Sequence, residues 1–323
     1  MRGGRKVNGK NYWLDFDFWK NLYMDVVHPW IRLVRAANLL TVFGDTLAGA
    51  CLAAVLGKGR LPTMQMLDVV LISLFMYVYG ILQNDICDLS DDVRRRRERP
   101  LAKGEITVFS AIFCCVLLGL ASLLLAFMNG HVVFFMSLAL FGLINMYNLL
   151  LKHHGFQGAL CMGLCRGFVF LLGASVAKIT IPVIFPAVSE TAFIVMVTVL
   201  ASTEYRRTHF SLNPLYLAAP FLIGWLVVFP FVVGRSSGLG IVCSFVCLAA
   251  AAFFAVMHIW NLYGQTVSPD RTQRCIGRLL GCLIPWQACW IVLYEPQCAL
   301  LLMALFAAVW GLYLFLGRKI RQS

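Results

Sequence analysis

The chemistry-bearing residues of this chain concentrate in the stretch "NDICDLSDDVRRRRERPLAKG". Asp85, Asp88, Asp91 and Asp92 fall within eight residues, Asn84 precedes them, and Arg94 to Arg97 follow in a row. On a helix Asp85, Asp88 and Asp92 take offsets 0, 3 and 7, which at ~100° per residue places them within an arc of ~60°. Three carboxylates so close raise one another's pKa and need a counter-charge to stay ionised. Mg²⁺ would supply it, since that ion takes oxygen ligands, usually one or two carboxylates together with phosphate oxygens and water. Pairing with Arg94 to Arg97 in a solvated loop is the plain alternative.

Other polar residues stand out against apolar surroundings. Arg166 lies within "GALCMGLCRGFVFLLG". A cation inside a membrane helix costs ~2.5–3.5 kcal/mol on the insertion scale unless it is paired. Its partner is an anionic substrate, Asp45 in the first apolar segment, or both together. Asn38, Thr41 and Asp45 repeat the 0, 3, 7 spacing and would line a polar cavity floor, with ordinary interhelical bonding the simpler role for Thr41. Lys152 either binds phosphate or snorkels to the interface. The adjacent His153 and His154 would point about 100° apart on a helix, which is poor geometry for a shared metal. Arg96 and Arg99 flank a Pro100 turn.

The elements that position these residues are membrane helices. The 323 residues are 60% hydrophobic and only 13% charged, with mean hydropathy +0.80, whereas soluble domains are roughly 45–50% apolar and about 25% charged. Ten apolar segments, near 37–57, 66–86, 107–127, 131–150, 157–177, 189–203, 213–233, 239–260, 277–294 and 298–316, approach the roughly 20 residues a span requires. Backbone groups in hydrocarbon must bond internally, and no strand-like alternation is present, so the expected fold is an all-α bundle of nine or ten transmembrane helices. Residues 1–30 read as a cytoplasmic or interfacial segment that lacks a signal-peptide core, and residues 31–323 as one transmembrane domain.

The net charge of +12 follows that topology. With ten spans, one side carries 22 Lys and Arg and the other only four, Lys58, Arg60, Lys178 and Arg235. Such asymmetry marks the 84–105 loop and its companions as cytoplasmic and removes the case for nucleic acid. The expected location is a cell membrane, foremost the bacterial inner membrane. The twelve cysteines fall mostly inside spans and form no C-x-x-C pair, so they read as small apolar residues rather than disulfide or metal sites.

N-D-x-x-D-x-x-x-D at Asn84, Asp85, Asp88 and Asp92, followed by Arg96, Arg99, Pro100, Leu101 and Gly104, resembles the first aspartate-rich motif of the UbiA-type intramembrane prenyltransferases, and follows the second span as it does there. "RLVRAANLLT" is similar to that family's segment before the first span, with Ala36 in place of the usual proline. "YNLLLKHHG", with Tyr147 and Lys152, and "GLCRG", with Arg166, also fit. The resemblance covers roughly residues 30–205. It implies a bundle around a central cavity open sideways to lipid, in which a prenyl diphosphate is ionised with Mg²⁺ and a lipophilic acceptor captures the allylic cation. It further implies that Asp85, Asp88 and Asp92 hold the metal, that Lys152 and Arg166 act with them, and that Asn38, Asp45, Asn84, Arg96, Arg99 and Tyr147 contact substrate. The second aspartate-rich motif of the family is missing. In its place "LASTEYRRTHF" offers Glu204, Arg206 and Arg207 as substrate contacts, and nine spans are usual where ten are read here.

Three other functions would leave different signatures. A transporter would show Gly/Pro-broken helices in matching positions of two halves, and Pro182, Pro186, Pro220 and Pro230 are not so arranged. A CDP-alcohol phosphotransferase needs Gly after its second aspartate, and Leu89 follows Asp88. A non-catalytic binding relative stays open because of the missing second motif.

Overall fold

The computed structural model describes residues 27–203, 207–294 and 296–319. A short helix α1 (His28–Leu33) leads into α2 (Ala36–Gly57) and α3 (Thr63–Cys87). Two small helices, α4 (Leu89–Arg95) and α5 (Pro100–Lys103), form the loop before α6 (Val108–Met128) and α7 (His131–Met146). There follow α8 (Gly155–Ala174), α9 (Ile181–Ala201), α10 (Leu215–Val232), α11 (Gly238–Trp260), α12 (Pro269–Gly281), α13 (Leu283–Ile291) and α14 (Ala299–Lys319). Among the described residues, eight helices are long and apolar enough to cross a membrane, and they include α7 extended to Leu151. The protein is an integral, multi-pass membrane protein.

Two boundaries differ from the sequence reading. Helix α9 starts at Ile181, eight residues ahead of the apolar segment read from 189. Pro182 sits in the first turn, where an N–H would go unused, and Pro186 removes only one early bond. The ninth segment is not one straight span. It is divided at Cys282 into amphipathic α12 and fully buried α13. Pro285 cannot donate to the Gly281 carbonyl, which accounts for the break there.

Helix α2 is the axis of the bundle, with α3, α8, α9, α13 and α14 packed around it. Small residues allow the closest approach. A Cβ on Gly49 would lie 1.9 Å from the Phe170 carbonyl oxygen, and one on Gly173 would lie 1.9 Å from that of Thr46. Helices α2 and α8 therefore touch backbone to backbone, as small residues permit in membranes. A second cluster stacks Phe193, Phe221 and Trp286 with centroids 4.5 and 5.0 Å apart. Helices α6 and α7 turn large apolar side chains outward, Phe109 being 80% exposed, as a lipid-facing surface would.

The loops sort cleanly by end. At one end Arg32 bonds the Glu98 carbonyl at 2.6 Å and Glu105 at 3.2 Å, and Lys152 reaches the 84–88 segment. There too Thr208–His209 pairs antiparallel with Thr266–Val267. At the other end the Leu61 N–H donates to the Tyr294 hydroxyl at 3.0 Å, and Arg235 donates to the Leu56 carbonyl. The basic loops thus share one face of the bundle.

Candidate active site

The acidic stretch does not continue as one helix. Helix α3 ends at Cys87, Asp88 is the junction residue, and Asp92 lies on α4. The interruption is confined to that junction: Asp88 N–H bonds to the Asn84 carbonyl, and its own carbonyl accepts from Asp91 at 2.9 Å and Asp92 at 2.8 Å. The three carboxylates nevertheless stay together because side chains bridge them. Arg99 Nη1 meets Asp85 Oδ1 at 3.3 Å and Asp92 Oδ2 at 2.7 Å. Asn84 Nδ2 donates to Asp85 Oδ1 at 2.9 Å and reaches Asp88 Oδ2 at 3.5 Å. Lys152 ion-pairs with Asp88 and donates to Asn84 Oδ1 at 2.6 Å. Arg35 Nη2 adds a third contact to Asp85 Oδ1, at 3.3 Å.

The arginines that neutralise the cluster are therefore Arg99 and Arg35, with Lys152. Arg94, Arg95 and Arg97 are exposed and Asp91 points into the same exposed region. Arg96 is half-buried and its carbonyl accepts from Arg99 N–H at 3.0 Å, which shapes the turn that aims Arg99. Arg35 adopts a left-handed backbone conformation, φ 50° and ψ 55°, at the start of α2, a costly state for a residue with a Cβ and one that clusters at functional sites. Lys152 is delivered by another irregularity. Residues Tyr147–Leu151 form a π-turn, closed by Lys152 N–H to the Tyr147 carbonyl at 2.9 Å, and such turns recur at functional sites. Asn148 anchors it to α3 through the Gly80 carbonyl at 3.0 Å and Gln83 at 2.9 Å.

Beside this cluster a cavity of about 140 Å³ opens between α2, α3, α7 and α8. Arg35, Asn84 and Tyr147 line one end, Tyr77 and Arg166 also line it, and Val42, Met76, Ile81, Ile144, Met162 and Val169 supply apolar wall. Tyr77 lies seven residues before Asn84, ~10 Å along α3, and Arg166 lies eleven residues into α8, ~16 Å from its start.

Arg166 is not at the aspartates. Its Nη2 pairs with Asp45 Oδ2 and its Nε lies 3.6 Å from Glu190 Oε1. Asp45 and Glu190 are both fully buried. Gln287 donates to Asp45 Oδ1 and, at 2.7 Å, to the Thr41 carbonyl. Desolvation deep in the bundle ties the guanidinium to the nearest carboxylates, which is the Asp45 pairing open to it from the sequence, and Arg166 lines the same cavity as Arg35 and Asn84. Asn38 is likewise occupied, its Oδ1 accepting from Tyr313 of α14 at 3.3 Å. Glu204 and Arg206 lie outside the described residues. Arg207 is exposed, next to the ribbon strand Thr208–His209. Asp270 opens α12 just past the ribbon and is also exposed.

Sequence reading missed Arg35, Tyr77, Glu190 and Gln287. Glu190 carried a usable signal, as an acid within an apolar span. Among the described residues, no three His, Cys, Asp or Glu side chains converge as a ready cation cage. The contacts of the aspartates engage Oδ1 of Asp85 and Oδ2 of Asp88 and Asp92. Hard carboxylate oxygens are thus to hand for an ion whose remaining ligands come from phosphate and water, the usual manner for Mg²⁺.

Fold and site together define a class: a polytopic helical membrane protein with a cavity between its spans and a carboxylate-rich, cation-balanced mouth. The chain belongs to the UbiA prenyltransferase family, whose model matches residues 46–273. It is similar to a 4-hydroxybenzoate octaprenyltransferase of Shewanella oneidensis, 36% identical over 116 residues that make up 34% of this chain and 41% of the relative. It is also similar to a digeranylgeranylglyceryl phosphate synthase of Methanosphaera stadtmanae, 28% identical over 159 residues, 47% of this chain and 54% of the relative. The chain thus spans about two fifths to one half of the length of these curated relatives. A solved structure of a digeranylgeranylglyceryl phosphate synthase superposes with TM-score 0.59 at 16% identity, covering 84% of this chain and 99% of that one, a likeness of fold.

Proposed function

We propose that this protein transfers a prenyl group from a prenyl diphosphate to a lipophilic acceptor inside the membrane, and that it needs Mg²⁺ to do so. The observation that carries the proposal is the gathering of Asp85, Asp88 and Asp92 with Arg35, Arg99 and Lys152 at the mouth of an apolar-walled cavity. Asp85 and Asp88 would hold Mg²⁺, which when bound supplies positive charge to the diphosphate leaving group. Asp92 keeps Arg99 in place. Breaking the allylic C–O bond leaves negative charge on the diphosphate, and fixed cations in a water-poor pocket stabilise such charge best. Arg99, Lys152 and Arg35 sit where their N–H groups exchange carboxylate partners for phosphate oxygens, a charge-assisted pairing. Asn84 and Tyr147 line the same end of the cavity as Arg35, beside the diphosphate. The dry walls protect the allylic cation from water until the acceptor attacks.

The basic loop end, with its 22-to-4 bias, is the cytoplasmic face. The test uses membranes containing the protein, Mg²⁺ and radiolabelled prenyl diphosphates of several lengths. Release of diphosphate that EDTA abolishes is expected. Activity that survives Asp85→Ala or Asp88→Ala would defeat the assignment. The absence of a second aspartate-rich motif in "LASTEYRRTHF" favours a second reading, a binding protein without turnover. Mg²⁺-dependent retention of labelled prenyl diphosphate without its loss would identify that case.

A further inference from the structure

The proposed reaction leaves the acceptor open, and the far end of the cavity bears on it. Arg166 lines the cavity, yet its Nη2 and Nε are committed to Asp45 and Glu190, and Gln287 secures Asp45 from behind. Gln287 reaches in because Gly44 has no side chain: a Cβ there would lie 1.9 Å from Gln287 Oε1. The Tyr77 hydroxyl lines the same cavity, buried, with the Asn38 side chain as its polar neighbour.

Charge at this end is settled by counting. Two carboxylates face one guanidinium. With both acids ionised the cluster carries −1, and with one protonated it carries zero. In neither state is there positive charge to offer. A ligand carboxylate brought here would be a further anion in a desolvated site, whereas a carbonyl or hydroxyl oxygen accepts hydrogen bonds without adding charge. Arg35 does not change the balance, since the mouth sets three carboxylates, Asp85, Asp88 and Asp92, against three cations, Arg35, Arg99 and Lys152.

On the reading that an acceptor shares this cavity with the prenyl chain, we propose that the Arg166–Tyr77 end selects an uncharged oxygen-bearing acceptor, such as a phenol, quinol or alcohol head, against a carboxylate one. The Tyr77 hydroxyl and the Arg166 Nη1, which takes no part in the two ion pairs, are the donors. This separates the chain from the 4-hydroxybenzoate octaprenyltransferases it resembles, whose named acceptor carries a carboxylate.

Binding of 4-hydroxybenzoate and its neutral isostere 4-hydroxybenzamide to the purified full-length protein in lipid nanodiscs, measured by calorimetry without prenyl diphosphate, tests this. The amide is expected to bind at least tenfold more tightly. In Asp45→Asn/Glu190→Gln, which leaves Arg166 unbalanced, the preference should reverse. If that variant does not fold, the wild-type ratio decides alone. Equal or tighter binding of the carboxylate by wild-type protein, binding of neither probe, or an unreversed preference in a folded variant overturns the proposal. The prenyl-transfer reading fails separately, when the amide binds but no prenyl diphosphate is consumed with any acceptor.

Discussion

The two polar ends of the cavity use the same side chains for opposite purposes. At the mouth, aspartates meet Arg35, Arg99 and Lys152, whose side chains retain 44, 20 and 16% exposure. At the inner end Asp45 and Glu190 are fully buried around Arg166. The cations of the first cluster are partly exposed, so their ion pairs exchange partners at lower cost. In the second the two carboxylates are sealed among helices and only Arg166 reaches the cavity, so a broken pair leaves an unsolvated charge. The mouth is therefore suited to ligand exchange, and the inner end to fixed placement of one guanidinium.

The largest effect is expected at the inner end. Arg166→Met should strand two buried acids and cost about 3–5 kcal/mol of stability, read as a drop in thermal melting in detergent. Asp45→Asn/Arg166→Met/Glu190→Gln should recover most of it. An Arg166→Met protein that melts like wild type would show that the cluster is not sealed. At the mouth the balance inverts: Lys152→Met should lower kcat/KM on the order of 10²–10³-fold while melting shifts little. Parallel losses of stability and activity there would erase the distinction.

Smaller effects sharpen it. Gly44→Ala should push Gln287 off Asp45 and cost about 1–3 kcal/mol by overpacking, detected in the same melting assay, whereas Gly142→Ala, with open space around it, should not. The smallest effect belongs to the loop clasp outside the membrane. The Glu105 carboxyl is held below its usual range, first by a hydrogen bond from Lys103 and then by the charge of Arg32. A depressed carboxylate pKa means this contribution is present at neutral pH and is lost as pH falls through the lowered value. Glu105→Gln should therefore cost no more than ~1 kcal/mol at pH 7 and make no difference in acid, as melting at the two pH values would reveal.

Much of the mouth was legible in the sequence. Asn84, Asp85, Asp88 and Asp92 declared themselves by spacing, and Lys152 by its place after an apolar segment whose topology returns it to the same side. The inner end was harder to read. Asp45 with Arg166 was one of two pairings open to a cation in a span, and the structure favours it. Glu190 and Gln287 are single polar residues in separate apolar stretches, and Gln287 lies beyond the family match at 273. Neither spacing nor composition connects them.

The sequence alone established the class of solvent and where most of the long helices lie, because hydrocarbon admits only self-satisfied helices. It also determined that carboxylates gather where the second span ends. Packing alone settles which cations answer them and that Arg166 pairs with Asp45 and Glu190. Those choices depend on which helices touch, and for α2 and α8 contact is governed by where Gly49 and Gly173 let backbones meet. Local patterns encode burial along one helix, whereas the partner of a buried charge is set by packing between helices far apart in the chain.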